Sequence, residues 1–244
     1  MSRNKKILGG LFLVILAIGA FTQTPLFHRL ILKVQGKHTV EERIAQYGSQ
    51  ARERLSPLFA QAGVEYPPGE MVLLGLKEER ELQLFASGAD GLLRYVHTYP
   101  VLAASGKPGP KLARGDRQVP EGIYRIVFLN ANSLFHLSLR LDYPNEFDLA
   151  MAKQDGRDDT DLGGDIMIHG SNVSVGCLAV GDPAIEEIFT LAYDCGIEAV
   201  EVMIAPRDLR SKAPPETPEL PEWTRSLYET LKEEMEKLPQ NVGD

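Results

Sequence analysis

Leu134-Phe135-His136-Leu137-Ser138-Leu139-Arg140-Leu141 alternates apolar and polar side chains. Phe135, Leu137, Leu139 and Leu141 point one way and His136, Ser138 and Arg140 the other, the period of two that a half-buried strand requires. The same period runs through residues 122–129, and earlier through residues 81–86, where Leu82 and Leu84 share a face, and residues 92–97. Ala89-Asp90-Gly91 between the last two has the chemistry of a hairpin turn. Residues 166–169 and 199–205 add two short strands. The expected fold class is mainly β with flanking helices (α+β), with the β domain spanning about 70–206.

Helical spacing flanks these strands. Over residues 40–62, Ile44, Tyr47, Ala51, Leu55, Leu58 and Phe59 form a stripe, stopped by Gly63 and the breaker Tyr66-Pro67-Pro68-Gly69. Among the late strands, Asp182 is expected to cap a helix with Pro183 in its first turn, an apolar face of Ile185, Ile188, Phe189 and Ala192, and Gly196 at its end. Residues 207–244 form a tail of separate character, a Pro-rich linker at Pro214-Pro215 followed by an amphipathic acidic helix over 222–238. Two long loops, 105–121 and 143–164, are left without regular structure, and loops of that length are usually functional or mobile.

The chain has 244 residues, 34 acidic against 26 basic side chains, a net charge of −8 and two cysteines. No basic stripe exists for nucleic acid, so no nucleic-acid partner is expected. Two cysteines are too few for a disulfide scaffold or a four-thiolate zinc cage. His28, His38, His97 and His136 lack metal-ligand spacing, so neither metal nor cofactor is expected. Arg3, Lys5 and Lys6 precede an uncharged run over residues 7–21, the layout of an export signal. Residues 1–27 are therefore expected to be a membrane segment, a single-pass anchor being favoured over a cleaved signal, with 28–69 a helical N-terminal region. The body would then lie on the exported, periplasmic side of the inner membrane.

The densest chemistry is Ile166-Met167-Ile168-His169-Gly170-Ser171-Asn172-Val173-Ser174-Val175-Gly176-Cys177-Leu178. A strand delivers His169, and glycines then return the chain to a cysteine eight residues on. A thiol is a useful nucleophile as the thiolate, which a nearby imidazole generates. Gly176 leaves the backbone free to aim N–H groups at an oxyanion. On the residues alone a Cys–His dyad and ordinary core filling both remain open.

The segment His169-Gly170…Ser174-Val175-Gly176-Cys177 resembles the active-site signature of the L,D-transpeptidase (YkuD-domain) family. Residues 115–124, from Gly115 to Tyr124, resemble the family's entry to a strand, Ser105-Gly106-Lys107 its preceding turn, and Asp182 its aspartate after the cysteine motif. The resemblance covers about residues 72–206. It departs from the common pattern in a short excursion between histidine and cysteine and in Val175 where a second histidine usually stands. With Gly163-Gly164-Asp165, those features resemble the branch typified by YafK, which includes a hydrolase that releases a lipoprotein from peptidoglycan.

The resemblance implies an L,D-transpeptidase-type β-sandwich and an enzyme of cell-wall biogenesis and cell shape that acts on peptidoglycan stem peptides. Cys177 would attack a diaminopimelate L-centre carbonyl, His169 would carry the proton, and a thioester would form. An amine acceptor gives cross-linking or attachment, and water gives hydrolysis. The N–H groups of Gly176 and Cys177 are the expected oxyanion donors, and Ser174 either bonds His169 or shapes the loop. Stem peptides carry carboxylates, so Arg140, then Arg117, Lys111 and Arg114, are the expected substrate-binding cations. Cys195 is expected to be a small packing residue. A wall-linked lipoprotein is the further partner implied. The rival reading is a membrane-anchored peptidoglycan-binding or scaffold protein without turnover.

Overall fold

The alternating stretch supplies the sixth strand, in spatial order, of an eight-stranded mixed sheet. In the computed structural model, which describes residues 37–215 and 219–239, the strands are β1 (Met71–Leu76), β2 (Glu81–Ser87), β3 (Leu93–Pro100), β4 (Gly122–Ser133), β5 (His136–Leu141), β6 (Met167–His169), β7 (Leu178–Ala179) and β8 (Val200–Ala205). Their order is β3-β2-β1-β8-β4-β5-β6-β7. β4 belongs to two leaves. Residues 122–125 pair with β8, and the part from Ile126 onward pairs with β5 through two register shifts. β1 runs parallel to β8 and β6 parallel to β7, and the remaining pairs are antiparallel.

The helices are α1 (Val40–Ala62), α2 (Glu146–Gln154), α3 (Asp182–Cys195) and α4 (Thr224–Glu236). Leu55 and Phe59 of α1 and Ile185, Ile188 and Phe189 of α3 share one buried cluster with Leu73, Leu84, Leu139 and Ile168 of the sheet. On the opposite face, Leu227, Leu231 and Met235 of α4 cover Val72, Leu74 and Met203. The acidic tail helix is thus a packing element. Each fully buried Leu side chain contributes roughly 1.5–3 kcal/mol of apolar burial.

Double coverage explains why β1 escapes a search for alternation. All six residues of Met71-Val72-Leu73-Leu74-Gly75-Leu76 are buried, so an uninterrupted apolar run is what the fold demands there. The loop expected over 143–164 contains α2. Asn145 caps it by accepting from Asp148 N–H (3.1 Å), while the Asp148 carboxylate accepts from Asn145 N–H (3.0 Å). The cap expected of Asp182 is not made. Gly181 holds the cap position at φ 86°, and the Asp182 carboxylate accepts from Ser171 N–H at 2.7 Å. His136 also leaves the expected alternation, with φ 72° and its Nε2 3.0 Å from Glu186 of α3.

The membrane segment expected over residues 1–27 lies outside the described residues. Among those described, no helix is long and apolar enough to cross a membrane.

Candidate active site

The parallel pairing of β6 with β7 sets the Cys177 and His169 positions on neighbouring stretches of chain. Ile168 is opposite Leu178 and His169 opposite Ala179, so Cys177, one residue before β7, stands level with Met167. The return between the strands is tight. A Cβ on Gly170 would lie 2.6 Å from Asp182 Oδ1 and 2.8 Å from Phe135 O, an approach that glycine alone permits.

His169 is 2% exposed and stacks on Phe135, with ring centroids 4.6 Å apart. Its Nδ1 lies 2.6 Å from the carbonyl oxygen of Gly170. A carbonyl only accepts, so this contact assigns the ring proton to Nδ1 and leaves a lone pair on Nε2. Burial pushes the imidazole pKa down, the Gly170 contact opposing it. A neutral ring with Nε2 free is what a general base requires.

Cys177 is half-buried, and its Sγ donates to Asp165 O at 3.7 Å. Burial pushes the thiol pKa up and the Asp165 carboxylate adds to that, while Met167 N–H and Lys111 pull it down. Among the described residues no hydrogen bond joins Sγ to the imidazole. Both shifts favour the uncharged forms, a thiol and a neutral imidazole.

The two expected oxyanion donors differ. Gly176 has φ 80°, and its N–H already donates to Ser105 Oγ at 2.7 Å. Cys177 N–H has no acceptor among the described residues. Ser174 shapes the loop, its Oγ donating to Cys177 O at 2.7 Å.

A cavity of about 160 Å³ opens beside Cys177, walled by Arg114, Arg117, Asp165 and Val175 among others. Lys111 borders it but is buried, donating to Asp116 Oδ1 (2.5 Å) and Ala113 O (2.7 Å). That pairing makes Lys111 a brace of the 111–116 turn. Arg117 is exposed, in the left-handed region at φ 57°. Arg140 stands outside the cavity lining, 3.4 Å from Asp165 Oδ1. A larger hollow, about 740 Å³, lies along Pro214, Pro215, Leu220 and Tyr228 with neither cysteine nor histidine in its wall, so size does not locate the chemistry.

Both cysteines are free thiols. Cys195, at the end of α3, packs against the core, and burial with the Asp194 carboxylate pushes its pKa up to about 12. Among the described residues no three His, Cys, Asp or Glu side chains are grouped to hold a metal ion. Sequence reasoning assigned no role to Ser105 or Asp165, although both lie in segments the family resemblance had marked.

Cys177, its N–H without an acceptor among the described residues, borders the cavity, and the buried His169 imidazole stands two register positions from it; a thiol, an imidazole and backbone N–H donors are the parts that cysteine acyl transfer uses. The chain belongs to the L,D-transpeptidase catalytic domain family (YkuD), which matches residues 72–202, and its eight-stranded sheet with flanking helices is an α+β fold of that type. It is 33% identical over 135 residues to YafK of Escherichia coli K12, itself a candidate L,D-transpeptidase, covering 53% of this chain and 51% of that protein. The chain thus matches about half the length of these curated relatives. Similar solved structures include the helical cell shape determining protein Pgp2 from Campylobacter jejuni (22% identity, TM-score 0.46, 68% of this chain and 57% of that chain). Another is L,D-transpeptidase 1 of Mycobacterium tuberculosis (13% identity, TM-score 0.32, 56% of this chain and 62% of that chain).

Proposed function

We propose that this chain is a cysteine acyltransferase of peptidoglycan that acts on stem peptides through a thioester on Cys177. The observation that carries the reading is the contact of His169 Nδ1 with Gly170 O, which leaves Nε2 as the base two register positions from Cys177. As sulfur attacks the substrate carbonyl, the thiol proton passes to Nε2. On collapse, the carbon–nitrogen bond breaks and Nε2 returns the proton to the leaving amine. Arg117 and Arg114 on the cleft wall suit the carboxylates of a stem peptide, and Arg140 offers a third cation once Asp165 releases it. The second nucleophile is an amine for cross-linking or attachment of a wall-linked lipoprotein, or water for hydrolysis. The N-terminal sequence supports an exported body tethered at the membrane.

Digestion of sacculi incubated with the protein tests the reading. New diaminopimelate–diaminopimelate links mean transpeptidation, and trimmed or protein-released muropeptides mean hydrolysis. Full activity in Cys177→Ala refutes the mechanism. The rival reading is a membrane-anchored wall-binding protein without turnover. That rival predicts unchanged sacculi but retained binding.

A further inference from the structure

Ser105 stands at the reactive centre with no role in the chemistry above. The segment leading to it runs antiparallel to β7. Leu102 N–H donates to Ala179 O (2.8 Å), Ala179 N–H donates to Ala103 O (3.0 Å), and Ala103 bridges Ala179. Continuing that register by two residues sets Ser105 across from Cys177. The Ser105 hydroxyl accepts from Gly176 N–H at 2.7 Å and donates to Arg117 O at 2.7 Å.

The turn that carries Ser105 is held in place. Gly106 has φ 98°, and a Cβ there would come within 2.1 Å of Gln118 Oε1, which itself accepts from Lys107 N–H at 3.0 Å. The Gly176 N–H, beside the nucleophile, is therefore already committed to a fixed hydroxyl. Among the described residues Cys177 N–H is left without an acceptor, whereas the tetrahedral intermediate of acyl transfer is commonly held by more than one donor. The hydroxyl proton, for its part, rests on the carbonyl of Arg117, at the surface of the turn.

We propose that Ser105 is a catalytic residue whose hydroxyl donates to the oxyanion while it continues to accept from Gly176 N–H. This rests on the thioester reading above and supplies its missing donor. The carbonyl π pair moves onto oxygen as the sulfur–carbon bond forms, and that oxygen is held by Cys177 N–H and Ser105 Oγ–H. When the intermediate collapses the pair returns, and Ser105 keeps its proton throughout. Rotation about Cβ–Oγ is the only movement required of the side chain. A hydroxyl that accepts a hydrogen bond is also a stronger donor, so Gly176 N–H acts on the oxyanion through Ser105.

The test compares two reactions of Cys177 in the full-length protein, each followed by intact mass. Ring opening of meropenem passes through an oxyanion, and alkylation by iodoacetamide does not. Ser105→Ala should slow acylation about 10²–10³-fold, the size of effect seen when one oxyanion donor is lost. Alkylation should stay within roughly 3-fold, because no oxyanion forms, and Ser105→Thr, which keeps the Oγ, should restore acylation. If Ser105 merely blocks a donor, Ser105→Ala frees Gly176 N–H and acylation holds or rises, which overturns the proposal. Parallel loss of both reactions also overturns it, as that marks a structural defect. If the unaltered protein is alkylated but not acylated, the thioester reading fails, and the role of Ser105 falls with it.

Discussion

Glu121 is 1% exposed and joins α4 to the long loop that walls the cleft. Its Oε1 accepts from Lys77 Nζ (2.8 Å) and Gly109 N–H (2.8 Å), and its Oε2 accepts from Tyr228 OH (2.7 Å). Lys77 Nζ also donates to Gly109 O and Val119 O, both at 3.0 Å. Every proton of the ammonium and both carboxylate oxygens are thus engaged, the condition under which a buried ion pair is tolerated. Burial pushes the Lys77 pKa down against the pull of Glu121, and burial together with the Glu121 charge pushes Tyr228 up.

Tyr228→Phe leaves the ring in its apolar cluster but strips Oε2 of its donor. A hydrogen bond to a charged group contributes about 1.5–3 kcal/mol, so that is the expected loss of stability. For a body of this size the melting temperature should fall by roughly 3–12 °C. Guanidinium unfolding is the assay, and the single tryptophan, Trp223, sits at the start of α4 to report its docking. A double-mutant cycle with Glu121→Gln should give a coupling above about 1 kcal/mol. A change below about 0.5 kcal/mol for Tyr228→Phe, within the range of an ordinary surface substitution, would refute the reasoning. The helix would then be held by its apolar stripe alone.

Three further outcomes are expected. Alkylation of Cys177 should be slow at pH 7 and keep rising beyond the ordinary thiol pKa of about 8.5, because burial raises this thiol; a plateau already reached near pH 7 would contradict the neutral resting pair. Burial raises the Asp148 pKa to about 6, so its stabilising contribution is complete below about pH 4 and is lost as pH rises through 6. Asp148→Asn should accordingly gain on the native protein over that window, by at most about 3 kcal/mol, as followed by unfolding at pH 4 and pH 8. Gly106→Ala should destabilise the fold, since φ 98° and the 2.1 Å approach to Gln118 Oε1 leave no place for a methyl group, and a melting temperature equal to the native one would show that the turn yields easily.

The sequence revealed those elements whose two faces meet different surroundings. α1 is covered on one side only, and its apolar spacing marked residues 40–62 to the same limits the structure shows. β1 is buried on both faces and carries no period, and β7, two residues long, is too short to have one. α2 buries only Ala152, so its capping pair, Asn145 and Asp148, was its sole local signal. At the site, Cys177 and His169 stood out because a short strand and flanking glycines frame them. Ser105 could not be tied to them in this way, because its partner Gly176 is 71 residues away in sequence and meets it through the bridge at Ala103. The engagement of Lys111 was more accessible, since Asp116 is only five residues on.

The bridge at Ala103 also has a bearing on how the molecule acquires its reactivity. β7 is flanked by β6 on one side and by this early segment on the other, so the immediate neighbours of Cys177 come from four separated stretches of chain, around residues 105, 117, 165–169 and 174–177. Pairings so far apart in sequence close slowly relative to local ones. Until the last of them docks, Gly176 N–H lacks the Ser105 hydroxyl and the Cys177 thiol lacks the burial that raises its pKa. The order in which these stretches dock therefore sets when Cys177 leaves solvent and when Gly176 N–H gains the Ser105 hydroxyl.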